Sequence, residues 1–300
     1  MKIAYLAQTY PPMISGQAAV TQRLAEGMAE RGHSVLVIAA SERGTFYVEE
    51  QANLRIVRLR SFNNPFRVGQ RILLWPWRQV YEELLRFNPD VVHVHDPLHS
   101  ALAGIYATRG RQVRMVMTTH QLPWFVSNFI PVPLFLQKTV DMALWWYARW
   151  LCRQFDGVIA PTRTIAGVVW QHTGQMTYAI SNGMDLDAFH PQPATPDERE
   201  TQCAKYGLDP KLPIILHVGQ LNVQKRVDVV IRAAARVMRN TNAQLLVVGD
   251  GKQRKTLIRL AQKLGIHEPT STRTSRRTRA RATSSDAKRS SSPAPSARRS

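Results

Sequence analysis

Residues 1–39 read MKIAYLAQTYPPMISGQAAVTQRLAEGMAERGHSVLVIA. Residues 3–7 form a short apolar run with the length of a buried strand, and residues 35–39 form another. Between them Val20, Leu24 and Met28 recur at four-residue spacing, which predicts a helix over residues 18–31 with Gly32 as its stop. Two strands apolar on both faces, joined by a helix, read as a parallel βαβ unit.

The alternation continues outward from this unit. Residues 54–59 (LRIVRL) alternate and read as a more exposed strand, followed by a helix over 76–87 and a strand over 91–95. A helix over 98–108, a strand over 114–119, a long aromatic helix over about 134–155, a strand over 158–161, a helix over 164–172 and a strand over 178–181 complete the series. The expected architecture to about residue 185 is α/β, a doubly wound parallel sheet. Residues 191–196, rich in Pro, Thr and Ala, read as an interdomain linker. A second unit then opens, with strands over 214–218 and 245–248 and helices over 227–239 and 252–264. That is short of the five or six strands of a doubly wound domain. The expected organisation is a Rossmann-like domain over 1–190, a partial one over 191–268, and a tail over 269–300.

The tail differs in kind from the rest. It holds nine Lys and Arg against one acidic residue, and no Val, Ile, Leu, Met, Phe, Trp or Tyr. Such a segment buries too little apolar surface to offset its ordering entropy and is expected to be disordered. Two readings of it stand: a natural basic extension, or the product of a shifted reading frame in a GC-rich gene. Its start inside a domain favours the second, and with it a truncated, poorly active chain. Removing the tail's +8 from the +19 of the whole chain leaves +11 on residues 1–268. This excess suits polyanionic partners such as nucleotide diphosphates, anionic lipid surfaces or nucleic acid. Cys152 and Cys203 lack metal-ligand spacing and fit a reducing compartment. The first apolar run is too short for a signal peptide, and no stretch reaches the ~18 residues of a membrane span. The expectation is a cytoplasmic chain, with peripheral contact at the inner face of a membrane.

Four stretches are candidates for chemistry. The loop from Tyr10 to Ala18, containing Gly16, feeds a helix N-terminus whose free N–H groups can hold a phosphate, although one glycine in such a turn is commonly just a turn. Thr118-Thr119-His120 ends a strand at the carboxyl edge, where open α/β sheets bind ligands; a lone histidine is more often a packing or surface residue. His93 and His95 alternate on one strand, but no further ligands accompany them and no metal is expected; Asp96 reads as a helix cap. The loop from Val218 to Arg226, with Gln220 and Lys225, has strand–loop–helix geometry suited to a diphosphate, or is a plain loop with a solvated lysine. Residues 124–153 interleave Trp124, Phe125, Phe129, Phe135, Trp145, Trp146, Tyr147 and Trp150 with Lys138, Arg149 and Arg153. This pattern suits a membrane interface and equally the packing of a long helix.

In order and spacing these pieces resemble GT-B glycosyltransferases of the retaining family 4. The opening 39 residues, then PDVVHVHDP, FDGVIAPTRT, ISNGMDLDAFHP, ILHVGQLNVQKRVDVVIRAAARV and LLVVGDG, are each similar to a family element over about 265 residues. The resemblance implies transfer of a sugar from a nucleotide-sugar, with retention, in a cleft between two Rossmann-like domains, with no resident cofactor or metal. It implies that Gly16 lies against the donor diphosphate and that His120 contacts the transferred sugar. It further implies that Lys225 neutralises the leaving diphosphate, and that Asn182 and Gly183 belong to the crossover signature near the cleft. There are two departures. Gln220 stands where the family usually has Arg, and nothing beyond residue 268 resembles the family's E-x7-E segment. TTHQLPWFVSNFIPVP and the aromatic helix after it look like the branch that glycosylates diacylglycerol or phosphatidylinositol, so the acceptor is expected to be a lipid or a saccharide. The alternative is a non-catalytic basic protein holding nucleic acid or anionic membrane through its tail. Nucleic acid is the less expected partner, since the order of motifs has no role in that account.

Overall fold

The computed structural model describes residues 1–64, 71–73, 75–123, 133–187, 189 and 195–266. The chain divides into two compact units at Phe189. The tail over 269–300, most of the linker and the aromatics Trp124, Phe125 and Phe129 lie outside the described residues.

In the first unit β1 (Lys2–Ala7) leads into α1 (Gly16–Glu30), and then β2 (Ser34–Ala40), β3 (Tyr47–Gln51) and β4 (Leu54–Leu59) follow. The small strands β5 (Ser61–Asn63) and β6 (Arg71–Leu73) pair with each other. Next come α2 (Trp77–Phe87), β7 (Val91–Val94), α3 (His99–Thr108), β8 (Arg114–Thr118) and α4 (Leu134–Cys152). The unit closes with β9 (Gly157–Ala160), α5 (Arg163–Thr173) and β10 (Thr177–Ala179). Eight of the strands form one sheet in the order β10-β9-β8-β7-β1-β2-β4-β3, parallel except for β3.

Alternation along the strands assigns the faces. Ala4, Leu6, Leu36, Ile38, Val92 and Val94 pack with Val80 and Leu84 of α2 and Ala101, Ala103 and Ala107 of α3. Ile3, Tyr5, Val35 and Val37 turn the other way, against Ala25, Leu24 and Met28 of α1. Helices thus cover both faces, as the doubly wound reading requires. Helix α1 starts where it does because Ser15 caps it, its Oγ accepting from the Ala18 N–H at 3.0 Å.

One expectation is overturned here. The strand over residues 54–59 is nearly all buried. The antiparallel β3 takes the edge in its place, and the two arginines that made LRIVRL look solvated are ion-paired. Arg58, 2% exposed, meets Glu49 at 2.9 Å and donates to the Pro11 carbonyl. Arg55 bridges Glu50 and the buried Glu83. A buried charge of this kind is tolerated because it is paired and hydrogen-bonded.

The second unit contains α6 (Pro196–Tyr206), β11 (Ile214–Val218), α7 (Val227–Asn240), β12 (Gln244–Val248) and α8 (Arg254–Lys263). Pro196, read as linker, instead opens a helix. Thr195 and Glu198 form a reciprocal capping box, and proline is at home in a first turn whose N–H is unpaired anyway. β11 and β12 are parallel, and Ile231, Ala234, Leu245, Val247 and Leu257 make the core between strands and helices.

Candidate functional site

Because β1, β7, β8 and β9 are parallel, the loops after them gather at one carboxyl edge. The β1–α1 loop is held there from two sides. The Thr9 and Ser15 hydroxyls are 3.1 Å apart, and Arg58 binds the Pro11 carbonyl while its guanidinium lies 5.1 Å from the Tyr10 ring centre. Gly16 is the first residue of α1, and a methyl group added to it would meet no atom within 4 Å. No neighbouring atom therefore requires glycine at this position, and the space beside it is open to a ligand.

His120 follows β8 on this same edge. The register pairs His93 of β7 with Tyr5 of β1 and with Val116 of β8, so the odd-numbered residues of β1 and β7 share the α1 face with the even-numbered residues of β8. There His93 Nε2 lies 2.7 Å from Thr118 Oγ1, and His95 Nδ1 lies 3.0 Å from His120 Nε2. The rings of His95 and His120 stack at 5.3 Å, and Tyr5 packs on His93 and His95. Burial pushes His93 and His120 down to about 4. His95 is held well below the usual imidazole range by burial and then by its two histidine neighbours. All three are neutral at pH 7. The N-cap position of α3 is Leu98, and Asp96, two residues before it, has its Oδ1 accepting from the N–H groups of Leu98 and Ser100. Among the described residues no group of three or more His, Cys, Asp or Glu could hold a metal.

The pairing of His95 with His120 was not read from the sequence. The signal was present, since an HxH strand and a neighbouring parallel strand ending in His can put the histidines on one face, but strand order and register decide whether they do. Arg58 was missed because a charged residue in an alternating strand reads as solvated.

Gly183 adopts φ +69°, and its carbonyl accepts from Arg23 of α1 at 3.2 Å, while Asn182 is exposed. In the second unit the loop after β11 is fixed by backbone bonds from Gly219 N to Val248 O and from Leu221 N to Asp250 O. Asn222 caps a 3-10 turn over Val223–Lys225, its Oδ1 accepting from Lys225 N at 3.1 Å. Gln220 is exposed, with its Oε1 held by the Asn222 amide, and the Lys225 side chain is exposed at the end of the turn.

The sequence profile described as Glycosyltransferase Family 4 matches residues 14–188, more than half of the chain. The chain belongs to glycosyltransferase family 4. A second profile, Glycosyl transferases group 1, matches residues 198–271. This family 4 chain is 21% identical over 270 residues to an alpha-monoglucosyldiacylglycerol synthase of Streptococcus pneumoniae, covering 89% of the chain and 60% of that protein. It is 27% identical over 263 residues to a GDP-mannose-dependent alpha-mannosyltransferase of Mycobacterium tuberculosis, covering 86% and 65%. It therefore spans a little under two thirds of the length of these relatives. It superposes on sucrose-phosphate synthase from Thermosynechococcus elongatus with a TM-score of 0.68 at 19% identity, over 88% of this chain and 68% of the other. That likeness shows the fold, which is α/β of the GT-B type.

Proposed function

We propose that this family 4 chain transfers a hexosyl group, with retention, from a nucleotide-sugar to an acceptor at a membrane surface, the acceptor being a lipid of diacylglycerol or phosphatidylinositol type. The observation that carries the reading is the pair of profile matches, one in each unit, together with relatives named for glucosyl and mannosyl transfer. The S. pneumoniae relative is named for a diacylglycerol glycolipid, which supports the lipid acceptor over a saccharide. In this reading Gly16 and Lys225 serve the donor diphosphate, Gln220 adds an amide there, and His120 contacts the sugar. Asn182 and Gly183 line the approach. No resident metal or cofactor takes part, and the protein works from the cytoplasm. Stabilising the departing diphosphate is the main electrostatic task, and losing one such group commonly costs about 10²–10³ in rate. Mixing excess protein with labelled UDP-glucose or GDP-mannose and lipid vesicles is expected to give an α-linked glycolipid. Lys225→Ala and His120→Ala should each slow its formation by about 10²-fold. Product formed at equal rates by both variants would remove these residues from the mechanism, and no product from any nucleotide-hexose would overturn the activity.

The membrane contact rests on one face of α4. Trp145 and Tyr147 pack against the core, and Leu151 and Cys152 are buried. Phe135, Met142, Trp146 and Trp150 are exposed, Trp146 by 73%, along one stripe with Lys138, Arg149 and Arg153. Among the described residues no helix is long and apolar enough to cross a membrane. An exposed aromatic face flanked by cations suits the plane of an anionic bilayer. Sedimentation with phosphatidylglycerol vesicles should fall roughly tenfold in Trp146→Ser, given about 1.5–3 kcal/mol for burying a large apolar side chain. Binding unchanged in Trp146→Ser but abolished by removing residues 269–300 would assign the contact to the tail. The non-catalytic reading, in which that tail is the working part, has no observation on its side among the relatives.

A further inference from the structure

Among the described residues the His120 side chain hydrogen-bonds through one ring nitrogen, Nε2, and what lies behind that nitrogen decides what the other can do. Its Nε2 is 3.0 Å from His95 Nδ1, and a contact between two ring nitrogens needs one to carry hydrogen and the other to be bare. A neutral imidazole has a single N–H, so two arrangements exist. In the first, His95 Nδ1–H donates to His120 Nε2; His95 Nε2 is then bare, and the His120 proton sits on Nδ1. In the second, His120 Nε2–H donates to His95 Nδ1; His95 then carries its proton on Nε2, and His120 Nδ1 is bare.

The difference between them falls on His95 Nε2. His95 is 1% exposed, and its Nε2 is buried with no hydrogen-bond partner among the described residues. The second arrangement leaves a buried N–H without an acceptor, a state that folded proteins almost never adopt. A bare nitrogen in that position is the lesser cost, since orphaned acceptors are tolerated more often than orphaned donors. Turning the ring over would keep its plane among His93, His120 and Tyr5 but would carry Nδ1 away from His120 and lose the 3.0 Å bond.

We infer that His95 is a positioning residue that fixes His120 in the Nδ1–H tautomer, so that His120 meets its ligand only as a hydrogen-bond donor. The ligand atom opposite is then an acceptor oxygen, a hydroxyl or phosphate oxygen of the donor sugar or its diphosphate. His120 cannot take a proton from the attacking hydroxyl of the acceptor through Nδ1. The burial that keeps His93, His95 and His120 uncharged at pH 7 holds the arrangement without a formal charge. The role given to His120 rests on the function proposed above; its tautomer does not.

Two-bond 1H–15N correlation spectra of the full chain at pH 7.5 test this, with His120 assigned by its loss in His120→Gln. The expected spectrum has His120 protonated at Nδ1 and bare at Nε2 in the wild-type protein without any ligand. Protonation at Nε2 overturns the inference. In His95→Asn the side-chain amide can donate from nearly the position of Nδ1, and His120 should keep the Nδ1–H form. In His95→Leu the donor is gone, and His120 should move toward Nε2–H. Transfer should slow about tenfold in His95→Leu, the worth of one hydrogen bond, and recover in His95→Asn. Should His95→Leu not fold, the wild-type spectrum still decides. A wild-type Nδ1–H spectrum from a chain with no transfer activity would keep the tautomer and discard the enzyme reading.

Discussion

Gly249→Ala is expected to destabilise the second unit by about 3 kcal/mol or more and to dislodge the loop that carries Lys225. A methyl group on residue 249 would lie 1.8 Å from the Gly219 carbonyl oxygen and 3.0 Å from its carbon. Both are backbone atoms, and Gly219 cannot retreat freely because its N–H is bonded to Val248 O. Gly251 is in the same position, where a methyl group would sit 2.3 Å from the Leu221 carbonyl, which already accepts from Gln253 N. VVGDG is thus two glycines that let one loop lie flush on the next. Gly16 is the contrast, since its neighbourhood is empty. Gly16→Ala should leave stability within about 0.5 kcal/mol while weakening nucleotide-diphosphate binding. All seven tryptophans lie at or before Trp170, so fluorescence follows the first unit alone. The second unit has to be followed by hydrogen exchange. Gly249→Ala with wild-type exchange protection in β11 and β12 would disprove the close packing.

The first unit should lose stability steeply as the pH falls from about 6.5 to about 4. His93 and His120 are depressed to about 4 and His95 further, so the unfolded chain binds their protons before the folded one does. A depressed histidine contributes stability that is present above its unfolded value and is lost as the pH drops toward the folded one. Each histidine supplies a slope of up to about 1.4 kcal/mol per pH unit, roughly 4 for the three in the steepest region. Asp96 acts in the opposite direction, because burial raises its carboxyl and protonation relieves it. As the pH falls its contribution runs from the raised folded value down to the ordinary carboxylate value and offsets part of the loss. Tyr5, raised to about 12, and Tyr147 do not titrate in this window. Tryptophan fluorescence in urea at pH 7, 6 and 5 should show the midpoint falling, and His93→Gln should reduce the slope by about a third. A midpoint constant from pH 7 to 5 would mean that the histidines are not neutral in the folded chain.

Much of this was legible in the chain itself. Ser15 before an apolar-periodic stretch, Gly32 after it, and runs such as Val35 to Ala39 fix helices and strands through capping, backbone freedom and burial. All of these act over a few residues. Over LRIVRL a distant partner decides; at Pro196 the deciding contact is local. LRIVRL looked half-solvated because Arg55 and Arg58 were counted without Glu49, Glu50 and Glu83. Pro196 looked like linker because the capping box around it was not weighed against its proline neighbours.

Local pattern and motif order are enough to mark a family 4 chain of alternating strands and helices, and to single out Gly16, His120 and Lys225. That His95 stands behind His120, that Arg58 holds the β1–α1 loop, and that Gly249 and Gly251 bear on the loop of Lys225 emerge once the chain is folded. These are contacts between neighbouring strands and loops, set by sheet order and register. The free energy that selects them comes from burial across the whole sheet, which local periodicity does not encode.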